Sequence, residues 1–561
     1  MSVDKPWLQS YPAGTPETVD LAEYASVAAV LDAACERFRA RPAFSNMGRT
    51  LSYEDVDRLS GHFASYLLNV LKLKKGDRVA IMLPNILQYP VALFGVLRAG
   101  LTVVNTNPMY TGRELRHQLV DAGASVLVVL DNFAHTVAEV LHETPVRQVV
   151  TTGLGDLLGF PKSAIVNFVA RYVKKLVPDY RIDGAVRFND ALAQGTARPA
   201  PRVDIGHDDI AFLQYTGGTT GVAKGAMLTH RNMVANMQQV SAWYIRRLSL
   251  GEEVMVTALP LYHIFALTCN CLVFMKFGGL NVLITNPRDM AGFVREISKL
   301  GFTAITGVNT LFNGLLNTPG FDQVDFSHLK MSFGGGMAVQ RAVAERWKAV
   351  TGGTLLEGYG MTESAPVATM NPVDLKEYNG SIGLPAPSTE LSVQDDNGRQ
   401  LPMGEVGELC IRGPQVMRGY WQRADETAKV LTDDGWLRTG DMGRMDEKGF
   451  FYIVDRKKDM ILVSGFNVYP NEIEDVIATH PGVLEVAAVG VPDDKSGEAV
   501  KVVIVKKDPA LTADDIKAHC RTNLTAYKQP RFIEFRDALP KTNVGKILRR
   551  ELRDSAAKAA G

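Results

Sequence analysis

The residues whose chemistry can be read most directly lie between positions 210 and 230. The apolar run at residues 210–213 predicts a buried strand, and a segment with three glycines and three threonines leads from it to Lys224. Glycines let backbone N–H groups approach a polyanion, hydroxyls donate further hydrogen bonds, and the lysine adds positive charge. This chemistry suits the phosphates of a nucleotide, and a flexible turn is the alternative for the loop taken alone. The loop is not a Walker P-loop, because Ala223 precedes Lys224.

The composition bounds what kind of protein this is. At 561 residues the chain exceeds one hydrophobic core, so we expect at least two domains. With 61 basic and 61 acidic residues the formal net charge is zero, so nothing in the overall charge favours nucleic acid. Five cysteines without a CxxC pair argue against a disulfide framework or a zinc site and favour a reducing compartment.

The first residues do not resemble a secretory signal, because acidic residues interrupt them and no long apolar stretch is present. No segment reaches the roughly 18 uninterrupted apolar residues of a membrane-spanning helix. These observations predict a cytoplasmic protein.

The pattern of apolar residues predicts an α/β fold. Between about residues 50 and 360, short apolar runs that are typical of buried parallel strands alternate with helical periodicity. The predicted strands are residues 78–83, 125–130, 148–150, 254–258, 280–284 and 303–306. After about residue 380 short strands and glycine turns predominate, and a compact α+β pattern begins near residue 456.

Residues 161–177 form a separate amphipathic pattern. On a helix, Asn167, Arg171, Lys174 and Lys175 share one face, and apolar residues fill the rest. A basic amphipathic helix can lie on a membrane surface. An ordinary helix that packs its apolar side on the protein is the alternative.

Several further motifs follow the glycine-rich loop in a fixed order. They are Pro260-Leu-Tyr-His263, Phe333-Gly-Gly-Gly336, Glu357-Gly-Tyr-Gly-Met-Thr-Glu363, Gly435-Trp-Leu-Arg-Thr-Gly-Asp441, Asp455-Arg-Lys-Lys458 and Pro540-Lys-Thr-Asn-Val-Gly-Lys546. In this order, over about residues 30–555, they resemble the adenylate-forming superfamily of acyl-CoA synthetases, luciferases and peptide-synthetase adenylation domains. The run 434–458 and the tail at 544–552 are similar to those of bacterial long-chain fatty-acid–CoA ligases. Arg438 departs from that pattern, which usually has His there.

The resemblance implies a division into two domains. The first is a large N-terminal domain, residues 1–456, of helix-covered and mostly parallel sheets, with a small β subdomain at about 380–456. The second is a small mobile α+β domain, residues 457–561. The implied reaction joins a long-chain fatty acid to CoA through an acyl-adenylate, with ATP as co-substrate and Mg²⁺ as cofactor, and releases AMP and pyrophosphate.

The resemblance also assigns residues to ATP and Mg²⁺. The implied nucleotide contacts are Tyr215, Thr216, Gly217, Gly218, Thr219, Thr220, Gly221 and Lys224; Gly334, Gly335 and Gly336; Glu357, Gly358, Tyr359, Gly360, Met361 and Thr362; and Asp441 and Arg456 at the ribose. Thr216 and Glu363 are the implied Mg²⁺ ligands and are also assigned to catalysis. Taken alone, Glu363 could instead stabilise a helix N-terminus, and Asp441 could belong to a turn.

Two catalytic residues and one hinge are implied as well. Lys546 would bridge the fatty-acid carboxylate and the α-phosphate, although its local sequence also suits a surface lysine before a helix. His263 would position the same groups, although a lone histidine is often structural. Lys458 lies at the family's hinge and is assigned to the cofactor site; after rotation of the small domain, Gly465, Phe466 and Asn467 would approach CoA.

The acyl pocket and the partners are less closely defined by the sequence. Residues 308–311, with Gly334 and Gly335, are expected to line the pocket, and Leu267 stands where some long-chain members carry a gating Trp. A ligase for another apolar carboxylate, a fatty-acyl-AMP ligase serving a carrier protein, a luciferase-like oxygenase and a non-catalytic sensor are the rival functions. Peripheral contact with the inner face of the membrane and a homodimer stay open at this point.

Overall fold

The computed structural model describes residues 5–216, 223–493 and 496–560, with side chains up to residue 555. Within these ranges, helices pack against four β-sheets, which confirms the predicted α/β class. The predicted contacts Gly217, Gly218, Thr219, Thr220 and Gly221 lie outside the described residues.

The strands are numbered β1 to β25 in chain order. They are β1 (Pro42–Asn46), β2 (Arg49–Ser52), β3 (Arg78–Met82), β4 (Thr102–Asn105), β5 (Val126–Leu130), β6 (Gln148–Thr152), β7 (Val186–Arg187), β8 (Ile210–Thr216), β9 (Lys224–Thr229), β10 (Val254–Thr257), β11 (Leu280–Leu283), β12 (Ala304–Gly307), β13 (Met331–Gly334), β14 (Leu355–Gly360), β15 (Val367–Met370), β16 (Leu384–Pro385), β17 (Glu390–Gln394), β18 (Gly407–Arg412), β19 (Leu437–Met445), β20 (Phe451–Arg456), β21 (Ile461–Val463), β22 (Phe466–Val468), β23 (Val483–Asp493), β24 (Gly497–Lys506) and β25 (Phe532–Arg536).

The α-helices are numbered in the same way. They are α1 (Val27–Phe38), α2 (Tyr53–Ser65), α3 (Gln88–Arg98), α4 (Gly112–Ala122), α5 (Ala134–Val140), α6 (Lys162–Phe168), α7 (Phe188–Gly195), α8 (His230–Tyr244), α9 (Ile264–Ala266), α10 (Val273–Lys276), α11 (Met290–Ile297), α12 (Asn309–Leu316), α13 (Arg341–Thr351), α14 (Ala424–Val430), α15 (Pro470–Ala478), α16 (Ala513–Asn523) and α17 (Arg549–Ala560). Segments of π-helix at Tyr66–Val70, Val169–Val173 and Leu267–Leu272 continue α2, α6 and α9, and 3₁₀ turns occur at Pro6–Ser10, Asp131–Phe133, Leu141–Glu143, Phe321–Gln323, Thr362–Ser364 and Ala526–Lys528.

Two large sheets form the first part of the chain. One has seven strands in the order β7-β6-β5-β3-β4-β8-β9, and only the edge pair β8–β9 is antiparallel. The other has nine strands in the order β16-β15-β14-β13-β12-β10-β11-β1-β2, and the six from β14 to β1 are parallel. A strand that is buried on both faces has a continuous apolar sequence. Strand β5 is an example, because all five of its residues are buried.

The two large sheets share one apolar core, and a buried amide also joins them. The Asn85 side chain, three residues after β3, donates to the carbonyls of Thr257 (3.0 Å) and Leu259 (2.9 Å) and accepts from the N–H of Leu261 (2.8 Å). These groups lie in the loop between β10 and His263. Since buried backbone groups require partners, Asn85 fixes the path of the loop that carries this histidine.

Two smaller sheets complete the fold. Strands β17 to β20 form an antiparallel sheet. The remaining sheet has the order β22-β21-β24-β23, and β25 pairs with β24. Alternate β24 residues face two separate apolar clusters: Val500, Val502 and Ile504 pack with α15 and α16, and Val503 and Val505 lie in the cluster that contains Leu552 of α17. The boundary proposed at residues 456/457 falls at the end of β20 and stays a prediction.

Within the segment 161–177 only residues 162–173 are helical, so Lys174 and Lys175 lie beyond the helix, and its faces are oriented differently from those of a docked amphipathic helix. Asn167, which we assigned to the solvated basic face, points inward, accepting from the N–H of Gly155 (2.7 Å) and donating to Asp156 (2.8 Å). The large apolar side chains lie outside instead: Ile165, Phe168, Tyr172, Val173 and Leu176 are 52–63% exposed. No helix among the described residues is long and apolar enough to span a membrane.

Candidate active site

The ends of β8 and β9 border the glycine-rich loop. Thr216, the last residue of β8, pairs with Lys224, the first residue of β9. The Tyr215 hydroxyl donates to Asp121 (2.7 Å), and its ring lies against Gly225, where a Cβ atom would be 3.0 Å from the ring. Burial raises the pKa of Tyr215, so this hydroxyl stays a neutral donor.

Lys224 has two partners that the sequence did not reveal. Its Nζ lies 2.6 Å from Glu426 Oε2 and 4.7 Å from the centre of the Tyr420 ring. The hydrogen bond from Lys224 lowers the pKa of Glu426 to about 2, so this carboxylate is ionised at neutral pH. The sequence feature that could have indicated this contact is Gly419-Tyr420-Trp421 between β18 and β19. A glycine beside large aromatic residues often marks a place where another segment approaches the backbone closely.

Glu363 contacts the hydroxyl group of Tyr420, the same tyrosine whose ring lies near Lys224. The residue is buried, its Oε1 accepts from the Tyr420 hydroxyl (2.7 Å), and burial raises the pKa of its carboxyl. Met361 and Thr362 lead into this site through the 3₁₀ turn Thr362–Ser364, and the chain then enters β15. Glu363 therefore lies in the first turn of a three-residue 3₁₀ helix, and its side chain is directed to Tyr420.

Tyr359, Asp441 and Arg456 come together from three strands. The Tyr359 hydroxyl donates to Asp441 Oδ2 (2.7 Å), and Arg456 Nε lies 3.2 Å from Asp441 Oδ1. Asp441 and Arg456 face each other in the β19–β20 pairing. Because Asp441 lies within a strand, the turn alternative for it is wrong. Burial raises the pKa of Tyr359 well above its usual range, which keeps it a donor to this carboxylate.

The predicted glycines lie at the ends of the neighbouring strands β13 and β14. Gly334 ends β13 and Gly358 lies within β14, and a Cβ atom on Gly335 would be 3.2 Å from the Gly358 carbonyl oxygen. Gly336 has φ +77°, and a Cβ atom there would be 3.1 Å from Lys546 Cε. A Cβ atom on Gly360 would be 1.8 Å from the Pro366 carbonyl oxygen. Lys546 can therefore approach this backbone because no side chain intervenes.

The side chain of Glu357, which we assigned to nucleotide binding, points into the protein. One oxygen accepts from the N–H of Val339 (3.2 Å), and the other lies 3.2 Å from the Tyr378 hydroxyl, which also contacts the Val339 carbonyl. Burial raises the pKa of Glu357 to about 8, so the carboxyl is mostly protonated at neutral pH and can donate to Tyr378. Its backbone carbonyl accepts from Asn371.

His263, near the middle of the chain, and Lys546, near its C-terminus, meet in this site. His263 Nδ1 accepts from the N–H of Phe265 (3.3 Å), which leaves the proton on Nε2. Burial and the nearby Lys546 lower the pKa of His263 to about 3, so the ring is neutral. Burial of the ammonium, with Arg456 nearby, lowers the pKa of Lys546 to about 8, opposed by Asp441 and Glu363. The lysine is therefore inside the site and is not a surface residue.

The remaining predicted residues are not part of this arrangement. Lys458 is exposed between β20 and β21, and the Arg553 side chain donates to its carbonyl (3.1 Å). Gly465, Phe466 and Asn467 lie at the β21–β22 turn, where the 56% exposed Phe466 stacks on Tyr527 with ring centres 4.8 Å apart. The structure thus presents Lys546, and not this turn, to Asp441 and Glu363.

A half-buried lysine, a neutral histidine and the Asp441–Arg456 ion pair meet at the ends of these strands and define a class of enzyme. The family model of AMP-binding enzymes matches residues 31–421, and that of the AMP-binding enzyme C-terminal domain matches residues 472–546. The chain belongs to the family of AMP-binding enzymes.

Individual relatives agree with this assignment over the full length. The chain is 58% identical to a long-chain-fatty-acid–CoA ligase of Escherichia coli O6:H1, covering 98% of each chain. It is 39% identical to the ligase of the same name from Bacillus subtilis, again covering 98% of each. The predicted superfamily resemblance is confirmed.

Solved structures share the fold. The crystal structure of the anthranilate CoA ligase AuaEII with anthranoyl-AMP has a TM-score of 0.85 at 25% identity, covering 96% of this chain and 99% of that chain. ATP-bound MatB from Rhodopseudomonas palustris has a TM-score of 0.81 at 28% identity, covering 95% of this chain and 100% of that chain. The large N-terminal and small C-terminal domains are confirmed by these matches.

The raised pKa of Glu357 predicts a pH-dependent effect of Glu357→Gln on stability. Between about pH 5 and pH 8 the unfolded carboxyl is ionised and the folded one is still protonated, so wild-type stability falls as pH rises. The amide cannot ionise and can still donate to Tyr378. We therefore expect the unfolding free energy of the variant, minus that of wild type, to rise between pH 5 and pH 8. Above about pH 8 this difference should stay constant. Urea unfolding at several pH values measures this.

Glu36→Gln, at an exposed glutamate of α1, is the control and should change little across this range. Parallel pH dependences for wild type and Glu357→Gln would contradict the assignment of a protonated, buried Glu357.

Proposed function

We propose that this protein is an AMP-forming long-chain fatty-acid–CoA ligase. The observation that carries the proposal is the enclosed ammonium of Lys546, grouped with His263, Asp441, Arg456 and Glu363. The full-length similarity to fatty-acid ligases supports the substrate.

In the first half-reaction two anions must meet. An oxygen of the fatty-acid carboxylate attacks the α-phosphorus of ATP, the bond to the β-phosphate breaks, and pyrophosphate leaves with the bonding electrons. Lys546 would lie between the carboxylate and the α-phosphate and offset their charge. The neutral His263 would donate from Nε2 and orient the carboxylate, and Lys224 would exchange Glu426 for the β- and γ-phosphates.

The nucleoside end would be held by the second group of residues. Tyr359 would stack on adenine, and Asp441 with Arg456 would bind the ribose hydroxyls, as the family resemblance implies. The pre-formed Tyr359–Asp441 and Arg456–Asp441 contacts support this, because they fix the carboxylate before the substrate arrives. Gly334, Gly335 and Gly336 would let the base and the acyl group approach the backbone closely.

The residues present also fit a magnesium ion. Glu363 offers a buried carboxylate that the Tyr420 hydroxyl orients, and Thr216, the second implied ligand, is the last residue of β8. Mg²⁺ is usually held by one or two carboxylates together with substrate phosphates. When bound, the ion supplies further neutralisation of the phosphate charge.

The second half-reaction would use another face of the small domain. The CoA sulfur attacks the acyl carbonyl carbon, the bond to AMP breaks, and the thiol proton is released. We place the domain boundary at 456/457 and the hinge at Lys458, so rotation would withdraw Lys546 and bring Gly465, Phe466 and Asn467 to the pantetheine arm. The exposure of Phe466 supports this role, because its ring stacks on Tyr527 yet is still 56% exposed to solvent.

The acyl group would enter beside the Gly335 backbone. Phe265 lies 3.2 Å from a Cβ position on Gly335, and Val308, the residue before α12, lies 3.7 Å from that of Gly336. Burial of each CH₂ contributes about 0.8 kcal/mol, so an apolar pocket favours long chains. A ligase for another apolar carboxylate, or one that delivers its adenylate to a carrier protein, is the second candidate.

The products formed from ATP, Mg²⁺, CoA and palmitate by the purified protein test the proposal. We expect AMP, pyrophosphate and palmitoyl-CoA in equal amounts. Acyl-adenylate and AMP without thioester would favour a carrier-protein partner, and no turnover with any fatty acid would overturn the proposal. Benzoate is the matched control carboxylate.

We also propose that the protein is cytoplasmic and docks on the inner face of the membrane through residues 160–176. The exposed apolar side chains, with Phe160 at 90% exposure, are flanked by exposed Lys162, Arg171, Lys174 and Lys175. Apolar groups beside lysine and arginine suit an anionic lipid surface. A homodimer is compatible with this account, since one chain supplies all the residues of the site.

Flotation with vesicles that contain phosphatidylglycerol tests the membrane proposal. Lys174→Glu with Lys175→Glu should reduce the bound fraction several-fold, because each basic residue near an anionic surface contributes about 1 kcal/mol. Lys299→Glu with Lys376→Glu makes the same charge change at exposed lysines elsewhere and should not. Equal binding by both double variants would contradict the proposal.

A further inference from the structure

The loop that carries Lys546 rests on the first turn of helix α12. The Thr310 hydroxyl donates to the carbonyl of Gly545 (2.9 Å), the residue before the lysine. Gly545 has φ +86°, and a Cβ atom on it would lie 2.8 Å from Thr310 Oγ1. A glycine is therefore needed for the loop to reach this hydroxyl.

Two more polar contacts join the same part of the large domain to the C-terminal part. Asn313, one turn after Thr310, donates to the carbonyl of Leu484 in β23 (2.8 Å), and Arg288 lies 3.3 Å from Asn543. Residues three apart on a helix share a face, so α12 presents Thr310 and Asn313 together. This face is a docking surface for the lysine loop.

The apolar side chain of Val308 lies between the lysine loop and the backbone beside the Lys546 side chain. Val308 lies 3.1 Å from the Cβ position of Gly545 and 3.7 Å from that of Gly336. The Cβ position of Gly336 is in turn 3.1 Å from Lys546 Cε. A shift of the loop at Thr310 would therefore move the lysine relative to the Gly336 backbone, within a few ångströms of where it must act.

We propose that Thr310 is a positioning residue for adenylation, which holds the Gly545 carbonyl and so seats Lys546. The proposal rests on the proposed ligase function. Thioester formation does not use this contact, since Lys546 is withdrawn when CoA reacts.

The test compares the two half-reactions in Thr310→Val, which replaces the hydroxyl with a methyl of similar size. We expect palmitate-dependent exchange of pyrophosphate into ATP to fall about fivefold or more, since a carbonyl loses its donor. The reaction of CoA with supplied palmitoyl-adenylate should stay within about twofold of wild type. Thr310→Ser retains the hydroxyl and should restore exchange.

Thr318→Val is the matched control, because the hydroxyl of that half-buried threonine donates to the Gly314 carbonyl (2.8 Å) near the other end of α12. It should leave the ratio of the half-reactions unchanged. An equal fall of both half-reactions in Thr310→Val, or no fall in exchange, would overturn the positioning role while wild-type exchange keeps the ligase function intact. No exchange by wild type would overturn both.

Discussion

We propose that the site depends on holding one half-buried ammonium group, that of Lys546, at the place where two substrate anions meet. A charge transferred to a low-dielectric environment is costly unless opposite charges and hydrogen bonds compensate it. For Lys546 the compensation comes from Asp441 and Glu363, and the cost is seen in a pKa lowered to about 8. A lysine in this state interacts strongly with an incoming carboxylate and phosphate, because little water screens it.

The rest of the structure serves to bring distant residues to that point. Parallel strands place β10, β12, β13 and β14 side by side, so that the segments after them carry His263, Val308, Gly336 and the 357–363 motif to one edge. The antiparallel β19–β20 pair supplies Asp441 and Arg456 from a second sheet. The small C-terminal domain, which has its own sheet and two apolar clusters, supplies Lys546. We propose that this domain moves as a body.

Much of this scaffold could be predicted from the sequence, because buried parallel strands give apolar runs. The run predicted at residues 78–83 is β3 (Arg78–Met82), and that at 125–130 is β5 (Val126–Leu130). The contacts within the site could not be predicted in the same way. Glu426 lies 202 positions from Lys224, and no local pattern indicates that they pair. Periodicity also left open which face of residues 161–177 meets solvent, and the structure turns the apolar one outward.

The central claim is tested most directly by measuring the rates of adenylation and of thioester formation in Lys546→Ala. Loss of the ammonium should reduce palmitate-dependent pyrophosphate exchange about a hundredfold or more, because the converging anions lose their cation. Thioester formation from supplied palmitoyl-adenylate should persist, and Lys541→Ala, at the Glu485 ion pair of the same loop, should spare both. Retained exchange, or an equal loss of the two half-reactions, would contradict the claim that Lys546 is delivered for adenylation and withdrawn for thioester formation.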